Sequence, residues 1–454
     1  MTNNSFGNTT PNNGELGDSS GSELYRHEYA PPVVADGISG IIFALEGIHG
    51  SVVLLNGPTG CKFYHSSTSD GQVIRQPEFD PHRYPSTWYF GQPRVPCTYL
   101  DTRDYVYGSE EKLEEALHFL SEHVPHELLC VVNSPGAALI GDDLVGIVER
   151  YGSGVPYVII ETPGFSENIC LGYGRALTEL LRQVEIPAEQ PVISGRVNIL
   201  GLSIYHRNHE GDCDELRRLL ALCGIEVNCF FGAECDFEDI MALPTAELNI
   251  VLYPEYGDGV AVELERHFGT PYISFPAPIG FAATEELVRA VCARLGTDTA
   301  AFEQESERSR ARAFKHVSRV NSLTGMPKGV SFSAEGMYSE LYALTAFLTR
   351  YYGLIPLSLR VAVPESDAYR EEFLTLLDTL NIVDAAETDL ESTQPELVFG
   401  TGNTIARLKQ YGFEFCGIEI SLPSLGYIDV LPKTILGLRG ALHLTELILN
   451  ALPF

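Results

Sequence analysis

Short apolar, β-branched runs alternate with amphipathic helical stretches along most of this chain, and that rhythm constrains the fold more than any other feature. Such alternation marks parallel α/β sheets, because each parallel strand pair needs a crossover, usually helical. The clearest unit begins at Arg196. The run VNILGLSIY (197–205) reads as a buried strand. A polar loop follows, then a helix from near Asp212 in which Leu216, Leu219, Leu220 and Cys223 share one face. Gly224 supplies the left-handed stop, and IEVNCFF (225–231) starts the next strand at once.

Similar units recur. Ser109 is placed to cap a helix carrying Leu113, Ala116, Leu117 and Leu120, and LLCVV (128–132) follows it. YVII (157–160) leads to a helix around 173–183, and LNIVLY (248–253) to one near 258–268. Leu287, Val291 and Leu295 stack on a helix over 284–295. The polar segment 298–328, helical in its first part, reads as a connector. A third set follows: GVSFS (329–333), a helix over 335–352, LRVAV (359–363), a helix over 368–380 and ELVFG (396–400). A helix over 436–452 closes the chain. The expected fold is α/β, with three Rossmann-like domains (25–190, 191–297 and 329–454) and mostly parallel sheets around a central cleft. Residues 1–24, where Asn, Gly, Ser and Thr fill 16 positions, read as a disordered leader.

Charge narrows the partners. Against 30 Lys+Arg stand 61 Asp+Glu, a formal net charge of −31, which repels phosphate and argues against nucleic acid or an anionic membrane as the main partner. No stretch approaches the roughly 18 apolar residues of a membrane span. The beginning of the sequence lacks the basic-then-apolar pattern of a signal peptide. The ten cysteines include no C-x-x-C pair, which excludes a zinc ribbon or a ferredoxin-like run within this chain. The expectation is a reducing, cytoplasmic location with thiols free or bound to metal.

Ligands of parallel sheets gather where strands end. NGPTGC (56–61) directly follows the strand VVLL (52–55). Gly57 and Gly60 allow a tight backbone, Pro58 fixes one dihedral, and Cys61 comes at a strand end near a helix start, where a thiolate is favoured and suits an iron–sulfur ligand. The alternative is a structural turn with a buried cysteine. SPGAALIGDD (134–143) reads as a helix cap with Asp142 and Asp143. ETPGFSENICLGYGRAL (161–177) is a glycine-bearing loop that fits no Walker or dinucleotide fingerprint.

Taken in order with YVYGSEEKLEEAL (105–117), these segments resemble the nitrogenase component 1 family over about residues 25–454. NGPTGC is similar to that family's HGPxGC, LIGDD to its I-G-D-D, and ETPGFSEN to its T-x-G-F-x-x-N loop. IYHRNHEGDCDELRRLLALCGIEV is similar to the stretch opening its second domain. The resemblance implies a paralogous partner subunit in a heterodimer or α2β2 tetramer. It also implies an ATP-dependent iron–sulfur reductase that feeds an iron–sulfur cluster at the subunit interface, with Cys61 as a matching ligand.

Family members place three cysteines around that cluster. By resemblance the first would fall near Ala30 and the third at Asn133 or Ser134, where this chain has no cysteine. Cys97 is the best second ligand, Cys130 lies inside a strand and reads as core, and Cys170 sits in the glycine loop. The expected ligands to metal are therefore Cys61 and Cys97, with further ligands from the partner. The Cys and His that would hold a nitrogenase cofactor are missing from 249–259 and 420–430, so the resemblance is to a β-type or divergent subunit. Gly60 and Glu255 complete the expected cofactor-binding set. His206 and His209 are candidate proton donors or ligands, the alternative being two solvated loop histidines. A second metallocofactor or a tetrapyrrole both stay open as the bound group. So does a scaffold or purely structural role beside a paralogous chain.

Overall fold

The computed structural model describes residues 35–72, 95–161 and 167–452, so the expected leader and the position of Ala30 lie outside the described residues. Three parallel sheets follow one another along the chain. The first has the order β1-β2-β3, from Ser51–Asn56 (β1), Leu128–Asn133 (β2) and Tyr157–Ile160 (β3). Its main helices are α1 (Gly37–Glu46), α2 (Thr59–Gln72), α3 (Glu110–His123), α4 (Leu144–Tyr151) and α5 (Ile169–Gln183). The residues of β1 alternate between two cores, because successive strand side chains point to opposite faces. Val53 and Leu55 join the main core, while Val52 and Leu54 pack with Leu113, Leu117 and Leu120 of α3.

The second sheet has the order β5-β4-β6-β7, from Ile193–Leu200 (β4), Glu226–Phe230 (β5), Ala246–Leu252 (β6) and Tyr272–Phe275 (β7). Its helices are α6 (His209–Ala221), α7 (Pro254–Phe268) and α8 (Phe281–Leu295). The chain crosses from one side of β4 to the other on passing from β5 to β6. The crevice between the C-terminal ends of β4 and β6 is thus a topological switch point.

The expected connector forms the long helix α9 (Ala300–Thr324). The third sheet has the order β11-β10-β8-β9, from Ser331–Gly336 (β8), Ile355–Val361 (β9), Leu397–Thr401 (β10) and Cys416–Ser421 (β11). Helices α10 (Tyr338–Phe347), α11 (Arg370–Leu380) and α12 (Gly402–Gln410) accompany it, and α13 (Gly437–Ala451) packs on α6, α8 and α9. One buried core reaches side chains of all three sheets. No helix among the described residues is long and apolar enough to cross a membrane.

The expected strand 197–205 is corrected at both ends: β4 starts at Ile193 and stops at Leu200. Gly201 takes φ +86°, and a Cβ there would sit 1.8 Å from the Leu252 carbonyl oxygen. The neighbouring chain crosses so closely that the pleat cannot continue, and residues 201–208 leave the sheet as a loop. Asp143 caps α4 through the Gly146 amide at 3.0 Å, as expected. Asp142 does not cap: it accepts both the Ser109 amide and hydroxyl at 2.6 Å, which also removes the Ser109 side chain from capping α3.

Candidate functional site

The ends of β1 and β2 are tied together by a buried amide ladder. Asn56 donates from Nδ2 to the Asn133 Oδ1 at 2.9 Å and to the Ser109 hydroxyl at 3.2 Å. Thr98 donates to the Asn56 Oδ1 at 2.8 Å, and Asn133 reaches the Glu161 carbonyl at 3.1 Å. This ladder fixes the loop that carries Cys61 over the sheet's C-terminal edge.

Cys61 lies in the first turn of α2, half-buried. Gly57 lets this loop press against Ser134, since a Cβ on Gly57 would stand 2.7 Å from the Ser134 hydroxyl and 3.7 Å from the Cys61 Cβ. The resemblance puts a third cysteine at Asn133 or Ser134, and the fold brings Ser134 to that place beside Cys61. Gly60 is exposed, and among the described residues a Cβ there would meet nothing within 4 Å.

Cys97 is not in a solvated loop. Residues 96–98 run alongside β1, with Leu55 N donating to Pro96 O at 2.9 Å and Thr98 N to Leu55 O at 3.1 Å. This bridging buries the Cys97 thiol, which donates to the Gly57 carbonyl at 3.1 Å and accepts the Tyr99 amide at 3.4 Å. Burial pushes it up to about 11, so it is held protonated near neutral pH. A metal would have to displace the proton that this thiol shares with Gly57.

Two cations flank the pair. Lys62 is buried and donates to the Ser66 hydroxyl at 2.9 Å. His65 is buried one helical turn beyond Cys61 and pairs through Nδ1 with Asp36 at 3.0 Å. Burial opposes a charge on this ring, but the pairing with Asp36 and the influence of Cys61 outweigh it and push His65 up to about 9. Motif matching singles out neither residue; the signal available in the sequence is the i, i+4 spacing of Cys61 and His65 on one predicted helix face.

The histidines after β4 are packed rather than solvated. His206 is buried, stacked on Tyr253 with ring centroids 3.9 Å apart and edge-on to Tyr256 at 5.4 Å. Its Nδ1 accepts the Ser203 amide at 3.0 Å. Burial, with repulsion from His209, pushes it down to about 3, so the ring is neutral and carries its hydrogen on Nε2. His209 opens α6, also buried, with Nε2 3.8 Å from Glu234 Oε1. Both oxygens of Glu255 are engaged by Ser339, at 2.7 Å from its amide and 2.6 Å from its hydroxyl. Behind them lie two buried carboxyls, Asp212 and Glu340. Each has one oxygen without a hydrogen-bond partner among the described residues, as does the Tyr253 hydroxyl. Cys130 and Cys170 are buried in the main core.

A family model, nitrogenase component 1 type oxidoreductase, matches residues 38–453. The chain belongs to that family. Among relatives, one of the subunits of the light-independent protochlorophyllide reductase of Prochlorococcus marinus (strain MIT 9313) is 30% identical over 327 residues, covering 68% of this chain and 60% of the relative. The corresponding subunit of Acidiphilium rubrum is 27% identical over 319 residues, covering 68% and 62%. The matches thus span about three fifths of the length of these relatives. Among solved structures, nitrogenase Cp1 at pH 6.5 superposes with a TM-score of 0.74 over 93% of each chain at 17% identity, a likeness of fold. The expected α/β architecture of Rossmann-like domains holds.

Proposed function

We propose that this chain is a subunit of a nitrogenase-like oxidoreductase, with an iron–sulfur cluster held in part by Cys61 at an interface with a paralogous chain. The observation that carries the reading is the donor set around Gly57. A half-buried thiol in the first turn of a helix lies near a second thiol, a buried Lys62 and the His65 imidazole, with an exposed Gly60 beside it. Cationic neighbours and a helix N-terminus favour a thiolate and an anionic group bound to it. A bound cluster would accept and release single electrons from an ATP-dependent iron–sulfur reductase.

The residues of this chain supply the frame. Asn56, Asn133 and Thr98 hold the loop rigid, so Cys61 is presented from a fixed strand end. Cys97 is the second candidate ligand. Exposed apolar side chains lie around the loop in sequence: Tyr64 near Cys61, Val106 and Tyr107 beside Tyr105, and Leu139 after the turn begun by Ser134. A covering partner chain accounts for apolar exposure of this kind. His206, His209 and Glu255 stand at the strand ends of the second sheet, where a substrate or second cofactor of such an enzyme would be approached.

A second reading is a scaffold or structural subunit. It is favoured by one fact: among the described residues no three His, Cys, Asp or Glu side chains converge as a metal site. The chain would then complete a partner's site without turnover. Anaerobic purification together with a paralogous chain from the same source, followed by iron and acid-labile sulfide analysis and EPR, separates the two. Iron and sulfide that require both chains, lost on Cys61→Ala, support the shared cluster. A stable complex free of iron overturns it in favour of the structural role.

A further inference from the structure

Two turns press together where the first and second domains meet. The turn after α1 (47–50) lies on the turn after β5 (231–236): the His49 amide donates to the Cys235 carbonyl at 2.8 Å, and a Cβ on Gly47 would stand 2.1 Å from the Gly232 carbonyl oxygen. Across this seam the His49 ring is gripped at both ends. Its Nδ1 lies 3.1 Å from Asp236 Oδ1 and its Nε2 3.2 Å from Glu234 Oε2. Other charged groups surround the pair. Glu234 Oε1 lies 3.8 Å from Nε2 of His209 at the start of α6, and Arg217 and Glu210 of the same helix also act on Glu234. Asp239 accepts the Asp236 amide at 3.0 Å, and Glu127 flanks Gly50.

An ionised carboxylate only accepts hydrogen bonds, so both nitrogens of His49 must carry hydrogen for both contacts to form. A neutral ring has one N–H and turns a lone pair towards the other carboxylate. The charge of this single side chain therefore decides whether the seam is tied at two points or at one. We propose that His49 is a pH-sensitive latch between the first and second domains, closed while its ring is cationic and released from one carboxylate when the ring loses its proton. Bonding to Glu234 raises the ring above the ordinary 6.5, with burial working against it. A raised folded value means that the latch is fully closed below about pH 6.5 and opens as pH rises through that value. The His49 side chain is 39% exposed and that of Asp236 66%, so the effect is local and modest. Its position gives it reach. The turn after α1 runs directly into β1, whose far end carries the Cys61 loop, while Glu234 stands against the start of α6 at the crevice of the second sheet. Opening the latch loosens the seam between these two frames.

The test is amide hydrogen exchange of the full chain, read by mass spectrometry at pH 6, 7.5 and 9 with the intrinsic exchange rate at each pH divided out. Parent, His49→Gln and His49→Arg are compared, with circular dichroism as the check on folding. Glutamine removes the titrating charge, and arginine keeps a cation with several donors at every pH. Peptides over 47–51 and 231–236 report the seam, and one over β2 serves as the internal reference. The expected result is that protection of both seam peptides in the parent falls about 5-fold from pH 6 to pH 9 against the reference. His49→Gln is expected to be weakly protected and His49→Arg well protected, each without that pH dependence. Protection in the parent that stays flat with pH overturns the latch, and so does a His49→Gln variant that keeps the parent's pH dependence. Should His49→Arg not fold, Glu234→Gln takes its place. It is expected to exchange at pH 6 as the parent does at pH 9, and parent-like protection at pH 6 overturns the proposal.

Discussion

Glu255 and Ser339 join the second sheet to the third. Glu255 stands in the first turn of α7, just past the end of β6, and Ser339 in the first turn of α10, just past the end of β8. One carboxylate oxygen accepts the Ser339 amide and the other its hydroxyl, so a side chain from one domain satisfies a backbone donor that the helix start of another leaves open. Hydrogen bonds to a buried charged group contribute about 1.5–3 kcal/mol. Glu255→Ala is expected to lose roughly that much stability, and Glu255→Gln less, because one acceptor survives. Urea unfolding of the three proteins checks this; equal midpoints would show that the contact carries no load between the sheets.

His206 gives a pH signature with a defined sign. Its folded value of about 3 lies below the ordinary 6.5, so the unfolded chain binds a proton that the native fold refuses. The stability from its burial is full above about pH 6.5 and drains away as pH falls towards 3. His206→Gln, which keeps an acceptor for the Ser203 amide, is expected to flatten that acid limb. Lost stacking on Tyr253 costs it about 0.5–1.5 kcal/mol at pH 7. Thermal unfolding from pH 4 to 8 reads both effects. An acid limb as steep as the parent's would mean that His206 titrates normally.

Much of this architecture is legible from the sequence, and the exceptions share a cause. Strands with apolar, fully buried runs, such as β1 and β2, stand out because both their faces are covered. β7 is four half-buried or exposed residues, and β11 carries Glu419, so neither announces itself. The end of β4 is hidden because Gly201 sits within an apolar run, and only the crossing of Leu252 reveals why the strand stops. At the site, Cys61 is marked by its local motif. The burial of Cys97 is not legible because it depends on Leu55, and the role of Asp36 is not legible because it meets His65 only through the packing of α1 on α2. Long-range partners decide burial and charge, and a single sequence without its fold does not display them.

Gly201 provides a steric test of that crossing. Its positive φ is one that side chains rarely adopt, and the added methyl would lie within 2 Å of a backbone oxygen that cannot swing away. Gly201→Ala is expected to cost about 3 kcal/mol or more, since both backbone strain and overpacking act together. Gly259→Ala is the matched control, because among the described residues a Cβ there meets nothing within 4 Å. Soluble yield and melting temperature compare them. Equal behaviour of the two variants would refute the close approach of Leu252.

Glu340 makes the opposite prediction at alkaline pH. It is buried at the start of α10, where its Oε2 lies 3.4 Å from the Met337 amide and its other oxygen has no partner among the described residues. Burial, reinforced by the nearby Glu255, Asp212 and Glu335 carboxylates, raises it from the ordinary 4.5 to about 8. The native fold therefore holds a proton that the unfolded chain gives up, and stability falls as pH rises from about 4.5 through 8. Glu340→Gln keeps an acceptor for the Met337 amide and has no charge to bury. It is expected to match the parent near pH 5 and to melt higher at pH 9. Asp212, raised to about 7 by its own burial, preserves part of the slope in both proteins, while the gain of the variant over the parent builds from about pH 4.5 to 8 and is constant beyond. Melting curves across pH 5 to 9 decide the matter: a variant less stable than the parent at pH 9 would mean that Glu340 is charged in the native fold and paired there.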